Sequence, residues 1–208
     1  MKSKLCEMML IFFCDKEDKL KDGFLIHSIL QLAKTLHDKI DFMSEEREVK
    51  RVSNIISRLV KKVDHGKDLD KTLNVFTEAR GLFINLDQVT ETLIFETINL
   101  AVRCHAYCKG RHNAKTLNFV KACIAYAHIT IPTLEDIEKQ ISLFLLTSQV
   151  ALLNGLIGET DSVLRQALIQ VDENFSEKKE DLDKIADTLV KILGFLVIVP
   201  SNPEDNFF

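Results

Sequence analysis

Ser44-Glu-Glu-Arg-Glu-Val-Lys-Arg-Val-Ser-Asn-Ile-Ile-Ser-Arg-Leu-Val-Lys-Lys-Val-Asp64 is the stretch that decides the fold of this 208-residue chain. Val49, Val52, Ile55, Ile56, Leu59, Val60 and Val63 recur at the i, i+3, i+4, i+7 spacing of one helix face, and Lys50, Arg51, Ser53, Asn54, Arg58, Lys61 and Lys62 take the other. Ser44 reads as an N-cap, with Glu45 and Glu46 in the first turn where the helix dipole favours acid. Gly66 is a plausible C′ residue.

The same grammar extends in both directions. Helices are expected near Ser3–Cys14 and Lys21–Lys39, and again over Lys67–Phe83 with Leu69, Leu73, Phe76 and Ala79 inward. Asn85 reads as the cap of a helix reaching about Cys108, with Gln88 at capping-box spacing. Gly110 stops that helix; Asn113 starts another that ends at Ile131, because Pro132 disfavours helical backbone there. Thr133 is expected to cap a long helix to about Asn154, with Glu135 and Asp136 in its first turn, and Gly155 and Gly158 bracket a tight turn. A short helix to about Val171 and a last one from Ser176 to Val199, stopped by Pro200 and Pro203, make about nine helices.

Composition agrees. The chain holds only 7 Gly and 3 Pro, too few for the turns a β protein needs. Hydrophobic residues at 46% and charged residues at 28% are ordinary for a globular protein that holds itself together without disulfide or metal. The expected class is therefore all-α. Short loops favour antiparallel hairpins. A closed bundle and an open stack both satisfy them, but nine helices exceed a four-helix core and each hairpin takes about 40–45 residues, the period of HEAT-type repeats. Gln149 to Ala167 also resembles a tetratricopeptide hairpin, with Ala151, Gly155 and Ala167 where helices approach closely. The helix Leu134–Asn154 is apolar nearly all round and needs cover on all sides, which a stack supplies. The favoured reading is an α-solenoid of stacked hairpins spanning residues 1–208. Its apolar ending, Ile192 to Val199 with Phe207 and Phe208, lacks the polar cap a solenoid carries, so a piece of a longer solenoid, open at its C-terminal end, is expected.

Several functions are disfavoured. A formal net charge of -4 argues against a general nucleic-acid binder. The start, Met1 to Cys14, has Lys2 and Lys4 before an apolar run, but Glu7 abuts that run and no small-residue cleavage site follows, so no signal peptide is expected. The longest apolar run, Ile192–Val199, is far short of the roughly 20 residues of a membrane span. Five cysteines without a C-x-x-C pair fit a reducing cytosolic compartment. His105 lies beside Cys104 and Cys108, with His112 close behind; zinc wants four ligands, no second ligand pair is evident, and no metal or cofactor is expected. No G-x-S-x-G elbow or G-x-x-x-x-G-K-[ST] phosphate loop is present, and an enzyme is not expected. The basic face of Ser44–Asp64 could meet anionic lipid or an acidic partner, although a solvated face is the default. The acidic stretch Asp172–Asp183 reads as a surface loop and helix start.

His65-Gly-Lys-Asp-Leu69, Phe76-Thr-Glu-Ala-Arg80 and Leu82-Phe-Ile-Asn-Leu-Asp-Gln-Val89 carry a family resemblance, which strengthens at Lys109-Gly-Arg-His-Asn-Ala-Lys-Thr116, Phe119-Val-Lys-Ala-Cys123 and Ile129-Thr-Ile-Pro-Thr133. It continues through Ser148-Gln-Val-Ala-Leu152 to Leu196-Val-Ile-Val-Pro200 and is densest over 66–153. These patches resemble the vacuolar protein sorting 35-like family, the large solenoid subunits of the retriever complex. The resemblance implies a scaffold, related to retromer's, for recycling membrane cargo from endosomes to the cell surface. It implies a small metallophosphoesterase-fold subunit, shared with retromer, as the partner of this C-terminal region. An arrestin-fold subunit and coiled-coil commander proteins are implied partners of the rest of the scaffold. Location would be cytoplasmic and endosome-associated, with membrane contact only through the complex. Glu173–Asp187 looks shorter and more acidic than the family's loop, and the family's final helices are absent. Beside the best-matching motif, at a loop and helix start, Arg111, His112, Lys115 and Thr116 are the expected partner-binding residues. The alternative is a helical-repeat adaptor of an unrelated pathway.

Overall fold

The computed structural model describes residues 2–40, 44–175 and 182–199. Among them the chain forms nine α-helices, one 3-10 turn and no strand. It is all-α and built of successive stacked helices, and it divides into two compact units, Met1–Leu100 and Ala101–Phe208.

The first unit holds α1 (Lys2–Asp15), α2 (Gly23–His37), α3 (Glu46–Val60), α4 (Leu69–Leu82) and the start of α5 (Asp87–Cys108). Helices α1, α3 and α5 begin at residues 2, 46 and 87, which matches the hairpin period expected from the sequence. α1 packs on α2 and α3, and α2 on α3 and α4. The α3 stripe does what its spacing predicts: Val52, Ile55, Ile56, Leu59 and Val60 are buried. Its basic face is partly engaged by α1, through Arg51 to Glu7 at 3.1 Å and Arg58 to Asp15 at 2.8 Å. The chain between α1 and α2 runs beside the chain after α3: Leu20 N–H donates to the Lys62 carbonyl (2.8 Å) and Asp64 N–H to the Leu20 carbonyl (2.9 Å), an isolated parallel bridge. Cys14 is buried, its thiol donating to the Ile55 carbonyl at 3.6 Å. Burial raises that thiol's pKa, and Arg58 and Lys62 only partly oppose the shift.

The second unit holds the rest of α5, then α6 (Ala114–Thr130), the 3-10 turn Ile131–Thr133, α7 (Ile137–Leu153), α8 (Ile157–Phe175) and α9 (Leu182–Ile198). Only residues 154–156 separate α7 from α8, so the two return antiparallel and pack on each other. Gly155, at φ +73°, sits in a Schellman turn: Leu156 N–H reaches the Ala151 carbonyl (3.0 Å) and Gly155 N–H the Leu152 carbonyl (2.9 Å). Ile141, Leu145, Leu164, Ile192 and Phe195 form one buried cluster joining α7, α8 and α9. Lys121 of α6 holds Glu159 of α8 at 2.8 Å, and that hydrogen bond keeps the Glu159 carboxyl below its ordinary pKa. On α9 the apolar surface expected near the C-terminus is present, with Val190, Leu193, Val197 and Ile198 exposed.

Several expected boundaries are corrected. Ser44 does not cap α3; Glu45 occupies the N-cap without a side-chain hydrogen bond, and the helix ends at Val60 rather than near Gly66, in a turn at Lys61–Lys62 that leads into the bridge of Val63 with Leu20. α4 starts behind Asp68, whose side chain accepts from Lys71 N–H. Gln88 makes no capping box; its amide crosses to Asn54 Oδ1 at 2.6 Å, and α5 begins two residues past Asn85. Asp136, not Thr133, caps α7, and the Thr133 hydroxyl donates back to the Thr130 carbonyl. Gly158 lies inside α8, which runs to Phe175 rather than Val171. The expected cap Ser176 and the stops Pro200 and Pro203 lie outside the described residues, as do Phe207 and Phe208.

Burial of two threonines has a local explanation. Thr147 and Thr160 are sealed in helix contacts, and each hydroxyl donates to the carbonyl four residues earlier, Leu143 at 2.7 Å and Leu156 at 2.8 Å. A hydroxyl satisfied within its own helix can face an apolar neighbour without the desolvation penalty of an unpaired group.

Candidate functional site

The turn from α5 into α6 carries all four residues expected to bind a partner, and it is built by two consecutive left-handed residues. Gly110 N–H donates to the His105 carbonyl (3.1 Å) and Lys109 N–H to the Ala106 carbonyl (3.2 Å), the two bonds of a Schellman turn. Lys109 takes the C′ position at φ +51°, where glycine is usual, and Gly110 follows at φ +73°. The chain folds back over the end of α5 and enters α6 through Asn113.

Asn113 and Thr116 close a full capping box. Thr116 N–H donates to Asn113 Oδ1 at 2.8 Å, and Asn113 N–H donates to Thr116 Oγ1 at 2.9 Å. Thr116 is thereby occupied in starting the helix. Asn113→Ala is expected to cost about 1 kcal/mol, the usual value of an N-cap, read as a lower urea midpoint at unchanged slope.

The other three residues divide. Arg111 and Lys115 are exposed. His112 is half-buried, with both ring nitrogens out of solvent and without a hydrogen-bonding partner among the described residues. Its ring lies 5.7 Å from that of His105, and one of its nitrogens groups with Cys104 Sγ and Cys108 Sγ, all three atoms within 4.8 Å of one another. The turn thus presents two basic side chains outward and gathers two thiols and an imidazole inward. In the sequence His112 stands close behind Cys104, Cys108 and His105, and a metal site is not expected there for want of a second ligand pair; the fold-back of the turn brings His112 to the thiols. The sequence signal for this grouping is the four-residue step Cys104, Cys108, His112.

Among the described residues, no helix is long and apolar enough to cross a membrane. The described residues define an all-α protein of stacked helices, with a basic turn exposed between α5 and α6. The family model for the VPS35L C-terminal domain matches residues 1–208. The chain is 33% identical over 192 residues to the "VPS35 endosomal protein sorting factor-like" protein of Dictyostelium discoideum, covering 90% of this chain and 20% of that one. It is 34% identical over 211 residues to the Drosophila melanogaster protein of the same name (97% and 21% covered) and 32% identical over 199 residues to the Homo sapiens one (93% and 21%). This chain belongs to the VPS35L C-terminal domain family, and it spans about a fifth of the length of these relatives.

Proposed function

We propose that the chain is the C-terminal part of a non-enzymatic scaffold for endosomal protein sorting, of the retriever type. In that role it binds the small metallophosphoesterase-fold subunit also used by retromer, while the remainder of the scaffold carries the arrestin-fold subunit and the coiled-coil commander proteins. The scaffold works from the cytoplasmic face of endosomes, recycling cargo to the plasma membrane and touching the membrane only through the complex. The observation that carries this reading is the family match along the whole chain, with relatives named as endosomal sorting factors. Arg111 and Lys115 give it a surface: two exposed cations sit on a capped turn whose backbone is already ordered, so only their side chains must be immobilised when they meet an acidic patch.

The test is co-purification of the small subunit with the full-length scaffold carrying R111E and K115E together. Reversing two charges at an interface sets like charges against each other. Recovery of the small subunit is expected to fall about tenfold or more, with far-UV circular dichroism unchanged. Undiminished recovery removes this turn from the interface. Failure of the unmodified scaffold to bring the subunit down rejects the partner itself.

A further inference from the structure

Of the six buried side-chain nitrogen and oxygen atoms that lack a protein partner among the described residues, three belong to His105 and His112: His105 Nδ1 and both ring nitrogens of His112. A buried polar atom without a partner costs about 1–3 kcal/mol, so their concentration at one turn calls for something that satisfies them together. What faces the His112 ring is two thiols, with the His105 ring 5.7 Å away from it. Cys104 and Cys108 lie one turn apart on the last stretch of α5, and the left-handed pair Lys109–Gly110 folds the chain back so that His112 completes a group of three donor atoms within 4.8 Å. His105 packs over that pair of residues: a Cβ built on Gly110 would lie 3.5 Å from its Cε1 and 3.6 Å from its Nε2.

We propose that Cys104, Cys108 and His112 form a zinc site, with His105 placed as the fourth ligand. Two thiolates and imidazole nitrogens are the donor set that zinc takes in tetrahedral structural sites. Zinc–sulfur bonds of about 2.3 Å and zinc–nitrogen bonds of about 2.0–2.1 Å put tetrahedral ligand atoms roughly 3.3–3.8 Å apart. The present grouping, within 4.8 Å, is about an ångström wider than that spacing. His105, whose ring centre is 5.7 Å from that of His112 and whose Nδ1 is buried without a partner among the described residues, would have to turn toward the ion to complete the set. Binding releases one proton from each thiol and no electron moves. Two thiolates alone would be repelled by the carbonyl end of α5, and a divalent cation cancels their charge there. The site would staple the end of α5 to the entry of α6 and fix the turn that carries Arg111 and Lys115. Binding of a partner is not needed for it to fill.

The test uses the whole chain, reduced, stripped with a chelator and then given one equivalent of Zn²⁺ or Co²⁺. The expected results are one zinc retained per chain by elemental analysis and a higher Tm than the stripped protein. The cobalt form should show thiolate-to-cobalt charge-transfer absorption and tetrahedral d–d bands. C104S and C108S should each weaken zinc binding by roughly 100-fold, a thiolate's share of a four-ligand site, and diminish the charge-transfer bands. H112A, which removes no core thiol, keeps the test open if a cysteine variant folds poorly; it should weaken binding while leaving thiolate bands. C6S, at a cysteine outside the group, should change nothing. Zinc not retained at stoichiometry, absence of thiolate bands, or bands that survive C104S and C108S combined would overturn the site. H105A with unchanged affinity and d–d bands would strike His105 from the ligand set.

Discussion

Phe144→Ala is expected to cost about 4 kcal/mol, among the largest losses any single truncation in this chain can cause. The ring has no exposed surface, and the His128 ring meets it edge-on at 6.0 Å between centres and 80° between planes. Its removal forfeits the burial of an aromatic side chain and leaves a void between α6 and α7. Those helices cannot close over it, because the capping box at Asn113 and the Schellman turn at Gly155 fix their ends. Loss of about 4 kcal/mol takes a large share of the 5–15 kcal/mol that holds a typical domain folded. The chain has no tryptophan, so unfolding is best followed through helicity: a urea titration by circular dichroism should show an earlier midpoint. A loss under about 1 kcal/mol, the level of an exposed site, would show that Phe144 is not sealed.

Phe76→Ala should rank just below it, at about 3 kcal/mol. Phe76 is 2% exposed on α4 and is as large a side chain, but it borders an apolar crevice of about 10 Å³ lined also by Leu20, Ile26, Leu30 and Val60. A ring with a gap on one flank makes fewer dispersion contacts, so less is lost with it. Phe76→Leu, which keeps most of the volume, should cost under about 1.5 kcal/mol. The same titration checks both. Equal losses at Phe76 and Phe144 would mean that the crevice is closed in solution.

The order of these elements could be read in the chain because each helix carries its own apolar stripe; Val52, Ile55, Ile56 and Leu59 bury as their spacing demands. Boundaries were harder, for a reason visible at α7. Thr133 and Asp136 are both good capping residues three positions apart, and the choice falls to Asp136 only because Pro132 winds the preceding residues into a 3-10 turn that engages the Thr133 hydroxyl. Gln88 sat at capping-box spacing, but a partner on another helix, Asn54, took its amide. Periodicity also undercounts the core, since Thr147 and Thr160 read as polar yet bury by bonding to their own helices. At the α5–α6 turn the obstacle was backbone handedness. Nothing in Lys109 announces a left-handed residue, and without that reversal His112 reads as part of a surface loop rather than a neighbour of Cys104 and Cys108.

The clasp between Leu20 and the Lys62–Asp64 segment limits how this region can change length. One residue both gives and receives a main-chain hydrogen bond, so adding or deleting a single amino acid between α1 and α2 would either break both bonds or hand them to a neighbour whose side chain points the opposite way. Leu20, now 8% exposed, would then swing toward solvent. Most interhelical links absorb insertions readily. This one behaves as a ruler, and homologous chains should keep its residue count constant even where its letters drift.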